Sequence, residues 1–235
     1  MNISDIKKDI LKGRKINIVF IGDSITSTEW VHPNWREIVE YVLKEELTKQ
    51  ITDWKIPSWS IRCYNFGFDG STTKDILDRI QIIKTVNPTI VMFLANSNDL
   101  HPNIDLKEYK KQIEQIIIKL HAKTLLMNMI PGNQQEYNNE LSQYAEQITK
   151  INLKNSQVID TFSEYSKFAL SRFFTFKSTG NPVLNLKPGD IDYVHPNQLG
   201  NAYIAKIILE KGFNIKFNPE KFMKETLSGQ MYPGY

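Results

Sequence analysis

Apolar residues follow two rhythms along this chain: short unbroken runs, and longer stretches where they recur every three or four positions. Residues 16–21, Ile-Asn-Ile-Val-Phe-Ile, place five apolar side chains among six, which predicts a strand buried on both faces. Residues 60–66, 89–95, 123–130 and 156–159 are the further strand candidates. Between them the helical spacing is plain. Trp35, Ile38, Val39, Val42, Leu43 and Leu47 mark a first amphipathic helix, and Ile76, Leu77, Ile80 and Ile83 a second that should end before Pro88. Leu106 to Leu120, Tyr137 to Ile148 and Leu199 to Ile208 carry three more stripes.

Strands alternating with helices call for parallel pairing through right-handed crossovers. The expected fold class is therefore α/β, a three-layer α/β/α sandwich of about five parallel strands with helices on both faces. Residues 161–190 break the rhythm with a Gly- and Pro-punctuated run, and a loop of that length in a compact domain is usually functional or mobile. A single domain is expected over 1–235, with its core at about 15–212 and residues 213–235 left without an assignment.

The polar residues at the strand ends add the chemistry. The first run stops at Gly22-Asp23-Ser24, the second at Asn65 to Thr73 with Gly70 within it, and the third at Asn96-Ser97-Asn98-Asp99. Open α/β sheets bind ligands beyond the carboxyl ends of their strands, so these stretches are the natural place for a site. A serine hydroxyl needs a histidine to take its proton and a carboxylate to orient that histidine. Asp192-Tyr193-Val194-His195 offers both before the last helix, although alone it reads equally as a capped helix start with a solvated histidine. Backbone N–H groups at Ser24 and Gly70 and the Asn98 amide are suited to holding an oxyanion.

Gly22-Asp23-Ser24-Ile25, Asn65 to Gly70, Asn98-Asp99 and Asp192-x-x-His195 together resemble the four blocks of the SGNH hydrolases, also called GDSL-type esterases or lipases, in order and spacing over residues 18–197. The resemblance implies a flavodoxin-like sandwich, Ser24 as nucleophile, Asp192 and His195 as its partners, an oxyanion hole of Ser24, Gly70 and Asn98, and hydrolysis of acyl esters without a metal. Two positions depart from the family pattern: Asn96 stands where glycine is usual, and the bulkier Ser27-Thr28-Glu29-Trp30 follows the nucleophile block. With Thr26 two residues after Ser24, the Gly-x-Ser-x-Gly elbow of the α/β-hydrolases is absent. Asp23, Trp30, His32, Asn96 and His101 are the candidates for substrate contact, while Asp23 and Asp99 also read as structural or orienting carboxylates.

Composition narrows the partners. With 41% hydrophobic and 23% charged residues, neither disorder nor a membrane span is expected. A net charge of +3, with lysines scattered among glutamates, argues against nucleic acid. Residues 1–15 lack the apolar core and cleavage site of a signal peptide, so a cytoplasmic location is expected. Cys63 has no cysteine partner and lies in a strand-like run, which points to packing. No cofactor or metal is expected, because no His/Cys/Asp cluster has ligand spacing. The expected function is a serine hydrolase cleaving short-chain or acetyl esters of a carbohydrate or small molecule through an acyl-enzyme. Transfer of the acyl group to a sugar acceptor, and a non-catalytic ligand-binding module using residues 161–190, are the alternatives. Nothing in the pattern specifies an oligomeric state.

Overall fold

A computed structural model describes residues 1–229 and 232–235. The chain runs α1 (Ile3–Leu11), β1 (Ile16–Gly22), α2 (Trp35–Ile51), α3 (Lys55–Ser60), β2 (Ile61–Gly67), α4 (Thr73–Asp78), α5 (Ile80–Lys84) and β3 (Ile90–Leu94). It continues with α6 (Leu106–Leu120), β4 (Lys123–Met127), α7 (Gln135–Thr149), β5 (Ser156–Ile159), α8 (Thr161–Tyr165), α9 (Gln198–Phe213) and α10 (Pro219–Leu227). The five strands pair in parallel in the order β2-β1-β3-β4-β5. This is the expected flavodoxin-like α/β sheet, with its strand order reversing between β1 and β3.

Alternation along the strands divides the core into two layers. Ile16, Ile18 and Phe20 of β1 and Ile90, Met92 and Leu94 of β3 face α1, α2, α9 and α10, and Phe20 meets the edge of the fully buried Trp35 at 5.5 Å between ring centroids. Val19, Ile21, Val91 and Phe93 face α4 to α7 on the other side. Because β1 and β3 are covered on both faces, their ends are the rigid part of the sheet from which a site can be hung.

Four local features differ from the sequence reading or extend it. The stripe at 76–83 is not one helix but two, broken at Arg79 with φ −90° and ψ 5°. Residues 3–11 form a helix capped by Asn2, burying Ile3, Ile6 and Ile10, so the packed core starts before residue 15. The segment left unassigned at 213–235 contains α10, capped by Asn218 with Pro219 at its first turn, and Phe222 and Met223 extend the core past residue 212. Within 161–190 the chain forms α8, a 3-10 turn at Leu170–Arg172, and a strap closed by antiparallel bridges between Lys177 and Ile191 and between Asn181 and Leu186. Cys63 is half-buried against the core, and burial pushes its thiol well above the ordinary range. Among the described residues no helix is long and apolar enough to cross a membrane.

Candidate active site

The site begins where β1 stops. After Gly22 the chain turns tightly, with the N–H groups of Thr26 and Ser27 both donating to the Asp23 carbonyl at 3.0 Å. This single turn lifts Ser24 to the end of the sheet. The Asp23 carboxylate accepts from the Ile25 N–H at 3.1 Å and from the N–H and hydroxyl of Ser97 at 2.9 and 3.1 Å, so it locks the end of β1 to the chain leaving β3. Burial raises the Asp23 carboxyl, opposed by the bonds from Ser97 and Ile25 and by the His195 charge. Asn34, the capping residue of α2, also donates its amide to the Thr26 and Ser27 carbonyls at 3.2 and 2.7 Å, bracing the turn from the opposite side.

The strap and α9 bring in the other two groups. The Asp192 N–H donates to the Phe176 carbonyl at 2.8 Å, and Asn197 caps α9 by accepting from the Gly200 N–H at 3.0 Å. Asn201, one turn into α9, donates to the Pro196 carbonyl at 3.0 Å and accepts from the Trp35 N–H at 3.1 Å, tying the histidine loop to the start of α2. Between these anchors, His195 Nδ1 lies 2.7 Å from Asp192 Oδ2 and its Nε2 lies 2.9 Å from Ser24 Oγ. A carboxylate only accepts, so Nδ1 carries the proton and Nε2 is the acceptor for the serine hydroxyl. Asp192 Oδ1 meanwhile accepts the N–H groups of Val194 and His195 at 2.8 and 3.0 Å. Burial would raise the Asp192 carboxyl, but the bonds and charge of His195, with these two N–H groups, outweigh it and hold it below its ordinary value. Ser24, His195 and Asp192, all three buried, fit a Ser-His-Asp triad.

Ser24 and His195 open onto a cavity of about 340 Å³. Asp69, Gly70, Thr72, Ser97, Asn98 and Asn181 supply its polar lining, and Tyr137, Val183, Leu184, Val194 and Pro102 its apolar wall. Gly70 sits at φ 68°, a left-handed conformation that glycine adopts without strain. The Asn98 amide donates to the Ser71 carbonyl at 3.2 Å, keeping the two turns adjacent. Among the described residues, neither the Ser24 nor the Gly70 N–H donates to a backbone carbonyl.

The remaining sequence candidates divide. Trp30 and His101 line the cavity, and burial lowers the pKa of His101 against a smaller opposing effect of Glu140. The Trp30 indole lies parallel to the His195 ring, with centroids 3.9 Å apart and planes 5° apart. Asp23 and Asn96 are buried behind the lining; Asn96 donates to the Ser71 carbonyl and hydroxyl at 2.9 and 3.2 Å instead of facing the cavity. His32 stands outside it, largely exposed and 3.5 Å from Glu37. Asp69 and Tyr137 are not among the candidates read from sequence, although Asp69 stands next to Gly70; residues 181–184 fall within the 161–190 segment of the ligand-binding alternative and carry no chemistry of their own.

The sequence model of the GDSL-like Lipase/Acylhydrolase family matches residues 20–203. No curated protein matches the chain. Among solved structures the chain is similar to a catalytic mutant of Axe2, an acetylxylan esterase from Geobacillus stearothermophilus, with 21% identity and a TM-score of 0.59 over 84% of this chain and 94% of that one. It is also similar to LAE5, an alpha/beta hydrolase enzyme from the metagenome of Lake Arreo, Spain, with 16% identity and a TM-score of 0.61 over 83% of this chain and 94% of that one. At such identities the likeness is one of fold, and it is the family match, covering most of the chain and ending beyond His195, that carries descent: this chain belongs to the GDSL-like lipase/acylhydrolase family, the SGNH hydrolases, and is a carboxylic ester hydrolase.

Proposed function

We propose that the chain hydrolyses short acyl esters, acetyl esters above all, of a carbohydrate or other small polar alcohol through an acyl-enzyme on Ser24. The observation that carries this reading is the unbroken relay from Asp192 through His195 to Ser24 at the mouth of one cavity. In the first step Ser24 Oγ attacks the ester carbonyl carbon and His195 Nε2 takes the hydroxyl proton. The oxyanion that forms is held by the Ser24 and Gly70 N–H groups and the Asn98 amide. As the C–O bond to the alcohol breaks, His195 returns its proton to the departing alkoxide. Water then attacks the acyl-enzyme, giving its proton to His195, and collapse releases the carboxylic acid and restores the Ser24 hydroxyl. Asp192 holds the Nδ1–H tautomer and stabilises the imidazolium in both steps without itself taking the proton.

Size and lining support the substrate class. A cavity of about 340 Å³ is near the lower end for small-molecule sites, so a short acyl group fits better than a long chain. Asp69, Thr72 and Asn181 offer hydrogen bonds to a hydroxylated leaving group, and the acetylxylan esterases similar in fold act on such esters. Asn98 and Gly70 line the same cavity as Ser24, which supports their proposed part in the oxyanion site. The test is a chain-length series of aryl esters with acetylated sugars beside it. The expected order is acetyl above butyryl above octanoyl, with acetylated sugars turned over; a preference for octanoyl esters would overturn the assignment.

A further inference from the structure

Trp30 lies face to face with His195, yet nearly half of its surface is exposed, at 45%. Exposed tryptophan on a loop has many orientations open to it, so a parallel stack has to be held. Its Nε1–H donates to Asp69 Oδ2 at 2.9 Å, and the other oxygen of Asp69 accepts from the Ser27 hydroxyl. Asp69 thereby joins the turn that carries Ser24, the loop that carries Trp30 and, through the next residue, Gly70. The imidazole is held by its edges through Asp192 and Ser24, and the indole covers one of its faces.

We propose that Trp30 is a positioning residue for the ester hydrolysis, latched by Asp69, whose π-face stabilises the His195 imidazolium formed in each step and keeps water off that face. The proposal rests on the reading of His195 as the base. An aromatic face attracts a cation placed against it, and the attraction grows when water is excluded from between them. Neutral imidazole gains less from the same face than imidazolium does, so the stack favours the state in which His195 holds the serine proton. This is differential stabilisation of the kind that raises kcat without tightening ground-state binding. The charged and titratable groups around the ring are Asp192 on its own loop, Asp23 on the turn after β1, Asp69 at the N–H edge of the indole, and His101 and Tyr137 sharing the cavity. All five remain when only the indole is changed.

The experiment compares Trp30→Phe, which retains a π-face, with Trp30→Leu, which retains an apolar cover without one. Aryl acetate kinetics and NMR titration of the histidine rings are followed for each, with His195→Asn assigning the His195 resonances. The expected result for Trp30→Leu is a fall of about five- to tenfold in kcat with KM within about twofold, and a lower titration midpoint for the His195 ring and for the acid limb of kcat/KM. Trp30→Phe, which keeps a π-face but lacks the Nε1–H that Asp69 holds, is expected to fall between the parent and Trp30→Leu in both kcat and His195 midpoint. A His195 midpoint unmoved or raised in Trp30→Leu would overturn the proposal, as would equal loss in both variants. If no ester is turned over, the reading of the site fails on its own, and the NMR midpoint still decides whether the indole stabilises the imidazolium.

Discussion

Asp99 and Thr73 hold together the two turns behind the cavity: Thr73 donates both its N–H and its hydroxyl to Asp99 Oδ2, at 2.8 and 2.9 Å. Asn98 precedes one partner, and the Gly70 turn leads into the other. The Asp99 carboxylate is fully buried, and its second oxygen has no hydrogen-bond partner. Burial raises its pKa from the ordinary 3.8 to about 6, opposed by the Thr73 bonds and reinforced by the charge of Asp23.

A stability profile follows from that shift. The folded chain keeps the Asp99 proton to higher pH than the unfolded chain. The stabilisation from this proton is complete below about pH 3.8 and is lost as pH rises through about 6. In Asp99→Asn the residue stays neutral throughout. The stability of that variant relative to the parent should therefore rise between pH 4 and pH 7, by up to about 3 kcal/mol at 1.36 kcal/mol per unit. Urea unfolding of both proteins at the two pH values measures it, and parallel stability curves would contradict it.

Asp192→Asn separates orientation from folding. The asparagine oxygen can still accept the Val194 and His195 N–H groups, but its amide presents a donor to Nδ1 and favours the wrong imidazole tautomer. The expected outcome is a loss of about 10³- to 10⁴-fold in kcat on aryl acetates with an unchanged circular dichroism spectrum. A loss below tenfold would show that Asp192 does not set the tautomer.

Asn98→Ala removes one proposed oxyanion donor together with its bond to the Ser71 carbonyl, so the thermal midpoint is followed beside the kinetics. A fall of about 10²- to 10³-fold in kcat with KM nearly constant is expected, because such a donor acts mainly in the transition state. A variant that raised KM while leaving kcat intact would instead mark Asn98 as a ground-state substrate contact.

Gly67→Ala tests the support of the nucleophile turn. Gly67 pairs with Gly22 across β1 and β2, and a Cβ added there would meet the backbone of Thr26 and Ser27 at 2.4 to 2.9 Å. These atoms belong to the turn that carries Ser24, so the backbone must shift. Overpacking of this kind costs about 1–3 kcal/mol, and aryl acetate activity should fall together with the thermal midpoint. Parent-like values for both would contradict the close contact.

The sheet is legible because its strands are strong local patterns, and the triad because four blocks, each weak alone, stand in order at strand ends and before the last helix. β1 and β3 are buried on both faces and read as unbroken apolar runs, and Ser24 and His195 carry chemistry in recognisable blocks. The misses have separate causes. α1 has only three buried isoleucines among charged residues, a stripe too short to stand out, and α10, which starts at Asn218-Pro219, carries no long apolar period to mark it. The break at Arg79 has no glycine or proline to announce it. Asp69 beneath Trp30, and Asn34 braced against the Ser24 turn, depend on contacts between separate loops, which spacing along the chain does not encode.

The central claim is that the Ser24 hydroxyl is the nucleophile, and the most direct measurement is steady-state turnover of an aryl acetate by Ser24→Ala beside the parent protein. The account predicts that kcat falls by at least about 10⁴-fold while the variant stays folded. Turnover equal to that of the parent would contradict it.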